Sequence, residues 1–217
     1  MQRFTDPPRM PGTGWAPSEL LARASPIAGT PGQTYVERRG ISVDVAASAG
    51  VRFDADFGGR PAVIVGLRNR QDTLVAVHGR YLQTVQRQTK MLTIGSGGGV
   101  IDVLGGWRVE PLILVEGLFD SLSLAVRGVA SVATIGRWAP WLPEVSAGRV
   151  VWLAFDATKS GDQEAAIYRG CLIDATVRRL LPPPRCKDWS TALAKRGPAS
   201  VGWWIRASLA ASGPAPQ

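Results

Sequence analysis

Two short apolar runs, each ending on a carboxylate, constrain this chain more than any other feature. Residues 112–115 read Leu-Ile-Leu-Val and are followed at once by Glu116; residues 150–155 read Val-Val-Trp-Leu-Ala-Phe and are followed by Asp156. Uninterrupted apolar stretches of this length are strands covered on both faces, as in a parallel sheet flanked by helices. The intervening pattern agrees: a helix over 118–126, a strand over 131–134, a long helix over 161–180 stopped by Pro182-Pro183-Pro184, a helix from about Asp188 and a last one over 200–211. In open parallel sheets functional groups gather just beyond the carboxyl ends of the strands, where Glu116 and Asp156 stand. Asp188, at the start of a helix, is a third acid of the same kind.

The first half reads differently. Prolines at 7, 8, 11, 17, 26 and 31 predict a flexible leader over 1–33, with at most a transient helical segment at 18–24. Short helices over 34–39 and 42–49, the second capped by Ser42, open the folded part. Strands over 51–53, 62–67, 74–81 and 91–94 follow as an antiparallel meander, and the glycine-rich segment 95–99 reads as a hinge between lobes. Between Arg68 and Lys90 five cations (Arg68, Arg70, Arg80, Arg87 and Lys90) stand against the single acid Asp72. On alternate strand positions such cations share a face and could track a single strand of nucleic acid or a triphosphate. A plain solvated sheet surface is the alternative.

A net charge of +8 points the same way, toward a polyanionic partner. One histidine and two cysteines cannot assemble a Cys/His zinc cluster, so any metal is held by oxygen. Gathered carboxylates repel one another and are stable chiefly around a divalent cation, and hard oxygen donors suit Mg2+ or Mn2+. Each acid also has an ordinary structural role open to it: Asp188 as a helix cap, Asp156 as a turn former, Glu116 as a partner for an arginine or a helix dipole. Asp120, one helical turn beyond Glu116, could orient it or make an intrahelical ion pair. No stretch is long and apolar enough to span a membrane, and the start does not read as a secretory signal, so a cytoplasmic location is expected.

The segments Leu114-Val115-Glu116-Gly117-Leu118-Phe119-Asp120 and Leu153-Ala154-Phe155-Asp156-Ala157-Thr158-Lys159-Ser160-Gly161-Asp162 resemble the two motifs of the Toprim domain. That metal-binding fold is shared by bacterial replicative primases, type IA and II topoisomerases, and certain nucleases and recombination proteins. The primase branch is the nearest, because Glu-Gly is followed by an Asp four residues after the Glu. Lys187-Asp188-Trp189 after the proline break is similar to a primase segment, and Gly79-Arg80 with the downstream Lys90 is similar to the basic lobe that precedes Toprim. The resemblance covers about residues 34–196. It implies an α/β chain in which a small mixed α+β basic lobe (34–106) precedes a Rossmann-like Toprim sheet (107–197), with a helix and tail over 198–217.

The resemblance further implies magnesium- or manganese-dependent synthesis of RNA primers on single-stranded DNA, for a phage, plasmid or other mobile element. Glu116, Asp156 and Asp188 are then the catalytic and metal-binding residues, with Asp120, Asp162 and Thr158 auxiliary. Arg68, Arg70, Arg80, Lys90 and Lys187 bind nucleic acid or nucleoside triphosphate, and a replicative helicase is a possible partner. Two positions depart from the pattern: Thr158 stands where the Asp-x-Asp motif has its second acid, and Ser190 where an acid follows Asp188. The primase zinc module is expected to be absent. A Toprim nuclease is one alternative, and a catalytically degenerate nucleic-acid-binding replication protein, favoured by Thr158 and Ser190, is the other.

Overall fold

The computed structural model describes residues 15–83 and 88–211; Arg87, among the expected basic residues, lies outside them. The chain divides into two compact units, Met1–Asp102 with Gly136–Trp141, and Val103–Ile135 with Leu142–Gln217.

The first unit is an antiparallel sheet in simple chain order. Its strands are β1 (Ser25–Pro26), β2 (Arg52–Phe57), β3 (Arg60–Arg68), β4 (Leu74–Tyr81) and β5 (Met91–Gly95). Helix α1 (Pro17–Arg23) packs on one face of this sheet, where Leu20 and Ala24 meet Phe57, Ala62, Ile64, Val77 and Tyr81. Gly79 belongs to that face because the Phe57 ring fills the place of a side chain: a Cβ there would stand 2.3 Å from a ring carbon. His78 and Arg80 alternate with these residues along β4 and face the opposite side. Helix α2 (Pro31–Glu37) is capped by Thr30, whose hydroxyl accepts from the Gly32 amide at 3.2 Å. Helix α3 (Val43–Ser48) is capped by Ser42, as expected.

The predicted leader differs from what is found over 15–33, where α1 forms and Leu20 and Ile27 are buried. The prolines occupy positions that tolerate them: Pro17 and Pro31 are the first residues of their helices, where no amide hydrogen is needed, and Pro26 lies on the edge strand. The segment 95–99 lies within the first unit and not at its border. Arg68 and Val100 exchange two backbone hydrogen bonds of 2.9 Å there, and the Gly98 carbonyl accepts from the Trp141 indole at 2.8 Å.

The second unit is built on a sheet of order β10-β9-β7-β8-β6, with β6 (Ile101–Val103), β7 (Leu112–Val115), β8 (Ser131–Ala133), β9 (Val150–Leu153) and β10 (Thr176–Arg179). The neighbours β10, β9, β7 and β8 run parallel. Helices α4 (Leu118–Ala125), α5 (Leu142–Ser146) and α6 (Lys159–Cys171) connect them in turn, and α7 (Trp189–Ala211) follows, broken at Gly197-Pro198. All four residues of β7 are fully buried, which explains their continuous apolar character. One expectation is corrected: the helix over 161–180 ends at Cys171, and 176–179 forms the parallel edge strand β10 beside β9. Thr176-Val177 is β-branched, and the pairing with β9 outweighs the helical continuation. No described helix is long and apolar enough to cross a membrane.

Candidate active site

Glu116 follows β7 directly, and Asp156 lies three residues beyond the end of β9 at the same edge of the sheet. The two meet: Glu116 Oε1 accepts from the Asp156 amide at 3.0 Å. Asp188 reaches this edge because three contacts tie its segment to the extension of β9. The Ala157 amide donates to the Lys187 carbonyl at 2.7 Å, the Trp189 indole donates to the Ala154 carbonyl at 3.0 Å, and the Trp189 ring is fully buried. Asp188 caps α7, with Oδ1 accepting from the Thr191 amide at 2.5 Å and Oδ2 lying 3.2 Å from Lys187 Nζ. Asp120 also serves that helix, since its Oδ1 accepts from the amides of Trp189 at 3.0 Å and Ser190 at 3.1 Å. Its other oxygen lies where a side chain at Gly117 would begin, 3.1 Å from that Cβ position.

The remaining auxiliary residues have structural duties. The Thr158 hydroxyl accepts from the Gly161 amide at 3.1 Å and so caps α6. Asp162 is exposed and pairs with Arg179 at 2.8 Å. Arg179 in turn donates to the carbonyls of Leu153, Phe155 and Asp156 at 2.9, 3.2 and 3.1 Å, clamping the loop that carries Asp156. Sequence reasoning missed Arg179, which it had placed inside a helix. It also missed Glu164, whose half-buried carboxylate lies on the face of α6 shared with Gly161, Ala165 and Tyr168.

These acids load one another with charge. Burial, then Glu116 and Asp188, push the Asp156 carboxyl up to about 6. Burial, with Asp188 and Asp156, pushes Asp120 up to about 7, and burial, with Glu116 and Asp156, does the same for Glu164. Asp188 moves the other way: burial raises it, but the hydrogen bonds from Thr191 and the Lys187 ammonium outweigh that and hold it below its ordinary value. Lys187 is raised by its bond to Asp188.

In kind the donors fit a hard divalent cation, being carboxylates that repel one another, with one buried oxygen, Glu164 Oε1, that no described donor reaches. Among the described residues, no three Asp, Glu, His or Cys side chains are gathered closely enough to hold an ion as they stand.

A pH effect follows. Carboxyls raised in the folded chain bind protons that the unfolded chain, titrating near 4, has released, so their stabilisation is complete below that range and lost as pH rises through about 6 to 7. His78 has the opposite sign. Burial beside Arg80 and Arg137 lowers it to about 4, so its contribution grows with pH only up to its unfolded value near 6.5. From about pH 6.5 to about pH 8 the loss from the carboxyls near 7 outweighs the remaining gain from His78, and the metal-free protein is expected to melt at a lower temperature at the upper pH. Thermal melts followed by circular dichroism check this, and a flat or rising melting temperature would contradict it.

Gly161 holds the edge together. A Cβ there would stand 2.2 Å from the Asp156 carbonyl oxygen and 2.9 Å from Glu116 Oε1. Gly161→Ala is therefore expected to cost about 1–3 kcal/mol in urea denaturation, although alanine is the better helix former.

The basic residues belong to the first unit. Arg68 donates to the Asp72 carbonyl at 2.6 Å, Arg70 and Lys90 are exposed, and Arg80 is half-buried beside His78. The Arg80 Nε is buried with no partner among the described residues.

A family model described as a domain of unknown function (DUF7146) matches residues 15–100. No curated protein matches the chain by sequence. Among solved structures, the zinc-binding and RNA polymerase domains of the Aquifex aeolicus primase superimpose at a TM-score of 0.67 and 16% identity. That match covers 88% of this chain but only 59% of the Aquifex chain. This is the fold of the DNA primase catalytic core. A primase catalytic domain bound to single-stranded DNA matches at 0.67 and 19% identity, covering 88% of this chain and 77% of the other. The primase fragment of the bacteriophage T7 primase-helicase matches at 0.57 and 16% identity, over 78% and 72% of the two chains. The α/β architecture and the likeness to the primase branch of Toprim proteins thus agree with the sequence reading.

Proposed function

We propose that this chain is a primase-like nucleotidyltransferase that joins ribonucleotides on single-stranded DNA with the help of a divalent cation. What supports the reading is a primase-core fold in which Glu116, Asp156 and Asp188 all stand at one edge of the parallel sheet, with Glu116 hydrogen-bonded to the Asp156 amide. Glu116, Asp156 and Asp188 would hold the cation, with Mg2+ or Mn2+ suited to the donors. When bound, such an ion neutralises phosphoryl charge and aligns nucleophile and leaving group.

The chain's own contribution is positioning. The Asp156 amide fixes Glu116, Arg179 clamps the loop carrying Asp156, and Asp120 anchors the helix that Asp188 caps. Lys187, mostly exposed and paired with Asp188, presents an ammonium at this edge for a triphosphate. Arg68, Arg70, Arg80 and Lys90 would bind template or nucleotide through the first unit. A helicase partner and a phage or plasmid setting fit the reading as well.

One observation favours a non-catalytic binding protein instead: the Thr158 hydroxyl is spent on capping α6 and adds no charge for a metal.

Incubating the chain with single-stranded DNA, labelled ribonucleotides and Mg2+ or Mn2+ tests the proposal. Primer-length RNA is the expected product. DNA cleavage without synthesis would mean a nuclease, and binding with neither product would mean a non-catalytic protein.

A further inference from the structure

Beyond its break at Gly197-Pro198, α7 carries apolar residues on two sides. On one, Val201, Gly202 and Ile205 are buried, and a Cβ at Gly202 would stand 2.7 Å from Nε of Arg127, two residues after α4. The other side is Ala199, Trp203, Arg206 and Ala210, all exposed and spaced three or four residues apart. A solvent face of this kind is ordinarily polar, yet the Trp203 residue is 62% exposed. Ala199 and Ala207, one turn to either side, end at Cβ and cannot reach across the indole. Trp204 extends the patch: its ring centroid lies 6.3 Å from that of Trp203, with the planes inclined at 52°, and its Nε1 donates to the Leu181 carbonyl at 2.9 Å. Leu181 is itself exposed. The Leu180 amide donates to the Leu153 carbonyl at 3.0 Å, so Leu181 continues β10 at the edge of the sheet where Asp156 continues β9. Adjoining exposed apolar groups with a polar rim mark a binding surface.

The charge of the rim selects the partner. From Leu181 to Ala211 the chain carries five cations, Arg185, Lys187, Lys195, Arg196 and Arg206, against one acid, Asp188, which is held by Lys187 and the Thr191 amide. Arg206 stands one turn from Trp203, and Arg196 donates to the Pro184 carbonyl at 2.7 Å, which draws it to the loop that Leu181 opens. We propose that Trp203 is a stacking platform for a base of single-stranded nucleic acid, with Arg206 and Arg196 beside it for the neighbouring phosphates. A single strand offers an open base between successive negative charges, which is what an uncovered indole among arginines can hold. A duplex keeps its bases stacked on one another and offers the ring nothing. Trp204, fixed by its bond to Leu181, backs the platform. The inference goes beyond the primase-like reading, because it places a strand contact on the second unit that needs neither a divalent cation nor synthesis.

The test is binding of a fluorescein-labelled oligothymidylate of about 20 nucleotides by the full chain, long enough to span one single-strand site. Fluorescence anisotropy is read in chelator and without ribonucleotides for the unaltered protein, Trp203→Ala, Trp203→Phe and Arg206→Gln, alongside melting temperatures and a duplex of the same length. Trp203→Ala is expected to weaken single-strand binding at least about fivefold, the low end of losing one stacked base, with its melting temperature and its duplex affinity unchanged. Trp203→Phe keeps a ring and is expected to recover most of the affinity. Arg206→Gln is expected to weaken binding and to lower the slope of log affinity against log salt by about one phosphate contact. Unchanged single-strand affinity in Trp203→Ala would overturn the proposal. Equal losses on single strand and duplex would overturn it too, since they mark a change in fold and not a lost stack. If Trp203→Ala kept its affinity but turned a dimer into a monomer in analytical ultracentrifugation, the face would belong to a second copy of the chain. Primer synthesis with strand binding indifferent to Trp203 would overturn this inference and leave the primase-like reading standing; Trp203-dependent binding without synthesis would do the reverse.

Discussion

Replacing Asp156 by Asn is expected to lower primer synthesis by at least about a hundredfold while leaving the protein folded and no less stable. The two halves of that expectation have the same origin. Asp156 is partly buried and pressed by Glu116 and Asp188, which is why its carboxyl is pushed up to about 6. An amide of the same shape removes that repulsion, and the backbone groups that define the loop do not depend on the side chain. The Asp156 amide still donates to Glu116 Oε1, and its carbonyl still accepts from Arg179. What is lost is the negative charge at the end of β9, which a cation-assisted phosphoryl transfer needs and a neutral oxygen cannot replace. Primer yield against time for the two proteins, with melting temperatures in chelator, checks both halves. Retained synthesis would remove Asp156 from the chemistry, and a large fall in melting temperature would make the activity loss uninformative about charge.

How far such a site can be read from the chain depends on what makes each residue visible. Strands β7 and β9 are legible because burial on both faces requires unbroken apolar runs, and an acid directly after such a run is conspicuous. Strand β10 is not, because it is the sheet edge: Thr176-Val177-Arg178-Arg179 carries no apolar run, and its arginines blend with the helix before it. Arg179 was hidden with it. Glu164 is invisible for another reason. A glutamate in a polar helix looks solvated, and only the phase of α6 against the sheet half-buries it beside Ala165 and Tyr168. The first unit shows the converse error, in which prolines counted as helix breakers are helix starters at Pro17 and Pro31.

Trp189→Ala is expected to be the most damaging single change to stability, costing about 3–5 kcal/mol in chemical denaturation, because a fully buried indole is removed and the cavity cannot fully close. The ring also spans the two pieces that bring the acids together. Its Nε1 donates to the Ala154 carbonyl at the end of β9, while the Trp189 amide donates to Asp120 on α4. Without the ring the Ala154 carbonyl is left buried and unpaired, a further penalty that Trp189→Phe isolates. Phenylalanine restores most of the volume but not the donor, and is expected to lose about 1–3 kcal/mol. Asp188 stands directly before this residue, so the distance between Asp188 and Asp156 is set by how well position 189 is packed. A Trp189→Phe protein that folds but synthesises primers poorly would locate its defect in the spacing of the acids, since every carboxylate remains in place. If Trp189→Ala were as stable as the unaltered chain, the burial of this ring would not be what holds the start of α7 to the segment after β9.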